Sequence, residues 1–130
     1  MKVIFTNGCF DIFHRGHLEI LKYAKSLGDY LVVGLNSNHS VKLNKGDSRP
    51  INDQEDRKAL LESLIYVDKV VIFDEETPLK LIKTVKPDII VKGGDYTPEQ
   101  VVGHELAEVK IFERIDGYST TKIIQDSSGW

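Results

Sequence analysis

Apolar residues along this chain fall into short runs, separated by stretches with helical spacing. Val3 to Phe5 is β-branched and aromatic and stops at Thr6-Asn7-Gly8, which predicts a buried strand ending in a turn. From His17 to Leu27, Leu18, Leu21 and Ala24 recur at helical spacing, Ile20 and Leu27 widen the stripe, and Gly28 follows as a cap. Leu31-Val32-Val33 predicts a second strand, closed by Gly34 and Asn36-Ser37. Residues 37 to 52 then lose all periodicity and are polar and basic, so a long functional loop is expected there. Asn52, with Glu55 three residues on, resembles a capping box ahead of a helix through Leu60, Leu61 and Leu64. Val67 to Phe73 holds a third strand. Thr77-Pro78 opens a helix bearing Leu81, Ile82 and Val85, and Pro87 ends it. Ile89-Ile90-Val91 predicts a fourth strand running into Lys92-Gly93-Gly94-Asp95. Thr97 to Gln100 reads as another helix start, Val109 to Phe112 as a weaker fifth strand, and Ser119-Thr120-Thr121 as the opening of a short last helix.

The strands are continuously apolar rather than alternating, as in a parallel sheet covered on both faces. The expectation is one α/β domain over residues 1–130: a doubly wound, Rossmann-like, mostly parallel five-stranded sheet with helices on both faces. Residues 126–130 are expected to be a frayed tail. In such sheets ligands bind outside the carboxyl ends of the strands.

Composition narrows the partners. Of the 130 residues, 41% are apolar and 28% charged, ordinary for a globular domain, and the net charge of −3 gives no surface suited to coating nucleic acid. The single cysteine, Cys9, allows no internal disulfide and fits a reducing compartment. No apolar stretch approaches the roughly 18 residues that span a bilayer, and the first residues do not read as a signal peptide. A cytoplasmic protein with no membrane or nucleic-acid partner is expected.

The candidate chemistry lies after the first strand. His14-Arg15-Gly16-His17 opens the first helix, whose N-terminus offers unpaired N–H groups and a positive dipole end, both favourable to phosphate. His14 and His17 share one side of that terminus, and Gly16 leaves room for a phosphate to approach the backbone. The other reading, a pair of surface or metal-binding histidines, suffers from having no further ligand pattern nearby. Lys42, Lys45 and Arg49 in the following segment form either a cationic flap over phosphates or a solvated basic loop. Lys92-Gly93-Gly94-Asp95 is either a backbone cradle for a nucleotide or a plain turn. Asp11 has two equal readings: a role at the site, binding an acceptor or orienting His17, or an Asx turn. Arg57 reads either as a support for the site or as an exposed helix charge. Cys9 reads as a small buried hydrophobe.

The run Asn7-Gly8-Cys9-Phe10-Asp11-Ile12-Phe13-His14-Arg15-Gly16-His17 resembles the signature of the cytidylyltransferase-like nucleotidyltransferases, whose second motif resembles Tyr118-Ser119-Thr120-Thr121-Lys122-Ile123. Within that superfamily, Gly34 to Ser37, Lys45 to Asn52 and Val91 to Tyr96 are most similar to heptose 1-phosphate adenylyltransferases, although residues 103–109 look a few residues shorter. Glycerol 3-phosphate cytidylyltransferases share the end motifs but resemble the middle segments less. Adenylyl transfer onto a cofactor precursor such as FMN or phosphopantetheine fits those segments poorly.

The resemblance implies transfer of a nucleoside monophosphate, with AMP from ATP favoured, onto a phosphorylated sugar or polyol. Mg²⁺ would arrive with the triphosphate, with no metal held by protein side chains, and a homodimer is expected. His14, His17 and Lys45 would carry catalysis. Asn7, Gly8, Cys9, Phe10, Gly16, Lys92, Gly94, Asp95, Ser119, Thr120 and Thr121 would join the two histidines in binding nucleotide, and Asp11, Lys42 and Arg49 would bind the acceptor. A nucleotide-binding module without catalysis is the non-enzymatic alternative.

Overall fold

The computed structural model describes residues 1–113; Ser119, Thr120, Thr121, the expected last helix and the 126–130 tail lie outside the described residues. The elements are β1 (Val3–Gly8), α1 (Arg15–Ser26), β2 (Tyr30–Asn36), α2 (Asn38–Lys45), α3 (Gln54–Glu62), β3 (Lys69–Phe73), α4 (Leu79–Val85), β4 (Ile89–Gly93), a 3₁₀ turn (Pro98–Gln100) and β5 (Glu108–Phe112). The strand order is β3-β2-β1-β4-β5, and every pairing is parallel.

Both faces of the sheet are covered, which is why its strands lack an alternating pattern. On one face Ile4, Leu31, Val33 and Val91 pack with Leu21 and Ala24 of α1 and Leu61 of α3. On the other, Phe5, Val32 and Ile90 pack with Ile82 of α4 and with Val101. The expected doubly wound α/β architecture is therefore present.

Four local expectations are corrected. Residues 37 to 52 are not one loop, because α2 occupies Asn38–Lys45. The Ser37 hydroxyl caps it by accepting from the Ser40 backbone N–H at 3.1 Å. Its inward side consists of Ser40 and Val41, both fully buried. The Ser40 hydroxyl accepts from the Asn36 amide at 3.0 Å and donates to the Glu75 carbonyl at 2.6 Å. A helix anchored through a serine shows no apolar stripe, so periodicity cannot find it. The cap of α3 is Asp53, which accepts from the Glu55 N–H at 3.1 Å, while the Asn52 amide is diverted to the Asp11 carbonyl. Pro78 is the cap of α4 rather than its first residue, and the Thr97 start yields a single 3₁₀ turn.

Candidate nucleotide-binding site

The strand order reverses between β1 and β4, since β2 and β3 extend the sheet to one side and β5 to the other. A crevice forms where chains leave a parallel sheet in opposite directions. Here Thr6 Oγ1 donates to the Val91 carbonyl at 2.9 Å and fastens the two strands just below their carboxyl ends. Above that bond lies a cavity of about 190 Å³ whose lining includes Gly8, Phe10, His17, Lys45, Lys92 and Gly93.

The two histidines close the N-terminus of α1 with their own rings. Gly16 N–H donates to His14 Nδ1 at 3.0 Å, and His14 N–H donates to His17 Nδ1 at 3.2 Å. The imidazoles stack at 3.8 Å between centroids. Phe10 and Phe13 pack against His17 at 5.2 and 5.5 Å. Both Nδ1 atoms accept hydrogen bonds, so the proton of each neutral ring is assigned to Nε2. Burial, helped by His14 and Lys45, pushes the His17 pKa down to about 3. Burial also lowers that of His14. Near neutral pH the pair is therefore uncharged, with two distal Nε2–H donors fixed by a capping box. His17 lines the cavity, and His14 stacks on it rather than lining this cavity.

The cations are lysines. Lys45, in the last turn of α2, is well placed at the negative end of that helix dipole. Lys92 leaves the end of β4 with its Nζ 5.3 Å from the Tyr96 ring centroid. Its pKa is lowered, first by burial and then by Lys45. Gly94, after β4, has φ +112°, and a side chain there would meet the Tyr96 ring at 3.2 Å. The adjacent Asp95 is exposed. Asn7, Gly8 and Cys9 line the cavity too. Burial raises the Cys9 pKa, which keeps the thiol protonated.

Of the residues expected at an acceptor site, Asp11 lines this cavity and also holds the chain before α3. Asp11 is buried, and its carboxylate accepts from the Ile51 N–H at 2.8 Å and the Asn52 N–H at 2.8 Å. Arg49 Nη1 stands 3.5 Å from Asp11 Oδ2. Asp11 thus fixes the segment before α3, Arg49 Nη1 is buried without a hydrogen-bond partner, and Lys42 is exposed and does not line the cavity. Of the two roles open to Arg57, the structure selects support of the site. At 2% exposure it donates to the carbonyls of Cys9 (2.8 Å), Asn36 (2.7 Å) and Asn52 (3.0 Å), and to Asn38 Oδ1 (3.0 Å). One guanidinium thus ties the ends of β1 and β2 to the starts of α2 and α3. Its spacing of four from buried Leu61 was the available signal.

Fold and crevice together define a mononucleotide-binding α/β domain. The chain belongs to the cytidylyltransferase-like family, whose pattern it matches over residues 5–126. It is 60% identical over 128 residues to the bifunctional protein HldE of Campylobacter fetus subsp. fetus, and 58% identical over 125 residues to the HldE proteins of Nitratiruptor sp. and Helicobacter pylori strain J99. Those alignments cover 98%, 95% and 95% of this chain, which spans only 28%, 27% and 27% of the length of these curated relatives. Among solved structures, the lipopolysaccharide core biosynthesis protein of Thermoplasma volcanium is similar with a TM-score of 0.73 and 34% identity, over 92% of this chain and 99% of that one. A pantothenate synthetase of Thermus thermophilus shares the fold, with a TM-score of 0.63 and 21% identity over 88% of this chain and 56% of that one. Among the described residues, no helix is long and apolar enough to cross a membrane.

Proposed function

We propose that this chain transfers AMP from ATP to a sugar 1-phosphate, with a heptose 1-phosphate as the leading acceptor, releasing pyrophosphate. The observation that carries the reading is the histidine capping box, which sets the neutral His17 at a helix N-terminus in one cavity with Lys45 and Lys92, with His14 stacked on it. An acceptor phosphate oxygen attacks the α-phosphorus; one P–O bond forms as the bond to the β-phosphate oxygen breaks. The attacking monoester is already anionic, so no general base is needed. What the reaction needs is stabilisation of charge spreading over the α-phosphate and the leaving pyrophosphate, which preorganised donors and cations supply.

Mg²⁺ belongs to the same reading. Among the described residues no group of three or more His, Cys, Asp or Glu side chains is arranged to hold a metal. The cavity's neutral imidazole and two lysines suit an anionic Mg²⁺–triphosphate rather than a bare cation. When bound, the ion neutralises phosphate charge. The heptose acceptor rests on the likeness of Lys45 to Asn52 and Val91 to Tyr96 to heptose 1-phosphate adenylyltransferases. A cytoplasmic homodimer completes the proposal on the family resemblance, and light scattering checks the dimer.

The test is pyrophosphate release by the purified chain with Mg²⁺. ATP, CTP, GTP and UTP are each paired with heptose 1-phosphate and with glycerol 3-phosphate. Release with ATP and heptose 1-phosphate is expected. Release with CTP and glycerol phosphate would keep the chemistry and change the substrates. Nucleotide binding without release in any pairing would favour the non-catalytic module.

A further inference from the structure

Lys92 lines the cavity that holds His17 and Lys45, and also a neighbouring cavity of about 490 Å³ whose lining includes Asn44, Glu76 and Tyr96. Its surroundings work against its charge. Burial lowers its pKa, and Lys45 lowers it further. Cys9 would offset this only as a thiolate, and burial keeps it a thiol. Among the described residues no carboxylate stands within ion-pairing distance of Lys92 Nζ, although Glu76 lines the same cavity and Asp95 lies three residues along the chain. What Nζ does meet is the ring of Tyr96, 5.3 Å from the centroid. We infer that Tyr96 is a positioning residue: its ring face holds the Lys92 ammonium and aims it at a phosphate of the bound nucleotide.

The turn after β4 is built to bring the ring back over the lysine. Gly94 has φ +112°, and its missing side chain leaves the space that the Tyr96 ring takes, since a Cβ there would stand 3.2 Å from the ring. The Gly94 N–H donates to the Phe112 carbonyl at 3.1 Å, which ties the turn to the end of β5. The choice of an aromatic partner matters chemically. A carboxylate would hold the ammonium but cancel its charge and compete with phosphate for its donors. A ring face steadies the cation through its quadrupole and leaves the three N–H donors of the ammonium for an anion. The contact gains strength where water is scarce, as it is around a largely buried lysine.

This inference rests on the proposed nucleotidyl transfer for the identity of its anion, and the experiment separates the two. Wild type, Tyr96→Leu, Lys92→Met and the double variant form a cycle, with Tyr96→Phe alongside. Each is measured for pyrophosphate release with Mg·ATP and heptose 1-phosphate, and by calorimetry for its affinity for Mg·tripolyphosphate. Tyr96 is exposed at one side, so these substitutions leave the core intact. Tyr96→Leu is expected to lower both kcat/KM for ATP and tripolyphosphate affinity about fivefold, the scale of a partly desolvated cation–π contact. Tyr96→Phe keeps the ring and should stay within about twofold of wild type. In the Lys92→Met background Tyr96→Leu should cost nothing further, because a residue acting through Lys92 has nothing left to position. Equal losses with and without Lys92, a Tyr96→Phe as impaired as Tyr96→Leu, or a Lys92→Met that binds tripolyphosphate as wild type does would each overturn the inference. Wild type that releases no pyrophosphate while tripolyphosphate binding shows the coupling would remove the proposed transfer and leave the Tyr96–Lys92 pair standing.

Discussion

Two polar segments follow the strands of this domain, and they treat their charged groups in opposite ways. At the start of α1 the histidines satisfy the backbone with Nδ1 and keep Nε2–H for something outside the protein. At the segment before α3, Asp11, Asn52 and Arg57 hydrogen-bond the chain ends around them, while Arg49 Nη1 stays buried 3.5 Å from Asp11 without a hydrogen bond. Both are rich in residues that sequence reasoning assigns to ligands. The first keeps both distal donors for a ligand; in the second the fold has used most of the polar groups and leaves Arg49 Nη1 without a hydrogen bond.

The largest way to break that contrast is His17→Asn. Asparagine can still accept from the His14 N–H but loses the distal donor. Turnover should fall about 10²–10³-fold, the cost of one preorganised transition-state donor, with the melting curve little changed. A variant that turns over normally would remove His17 from the chemistry.

Arg57→Leu tests the other side. It strips one buried and two part-buried carbonyls of their donor, and urea unfolding should show a loss of roughly 2–4 kcal/mol. A stable, inactive Arg57→Leu would instead make the guanidinium a ligand for substrate.

A smaller effect concerns pH. An unfolded histidine takes up its proton near pH 6.5, and the folded His17 near 3. Between these values the unfolded chain binds more protons, so stability falls as pH drops from 6.5 towards 3. His17→Asn should flatten that slope in unfolding measured at pH 4.5 and 7; an equally steep slope would mean that His17 is charged in the fold.

The smallest effect is expected from Cys9→Ala. Its carbonyl, not its thiol, is what Arg57 holds. Turnover should remain within about threefold of wild type, since the protonated thiol has no step to perform. A hundredfold loss would give the sulfur a role that the account denies it.

What the sequence disclosed follows the same division. The strands were legible because each is a run of β-branched residues between polar breaks, such as Ile89-Ile90-Val91. His14-Arg15-Gly16-His17 was legible because its local context, strand then helix, is set by neighbouring residues. Helix α2 was not, because its buried side rests on Ser40 as much as on Val41. The structural bonds of Asp11 were not legible because their partners lie far along the chain: Asp11 meets Ile51 across forty residues. Asn44, Glu76 and Tyr96 come together only once β2, β3 and β4 lie side by side, and no spacing in the chain announces it.

The central claim is that two neutral imidazoles present Nε2–H to the triphosphate. Nitrogen-resolved NMR of the histidine side chains at pH 7, with and without Mg·ATP, tests it most directly. The account predicts Nε2–H tautomers for His14 and His17 in the free protein, with Nε2 resonances that move when nucleotide binds. Protonated rings, Nδ1–H tautomers, or resonances indifferent to saturating nucleotide would contradict it.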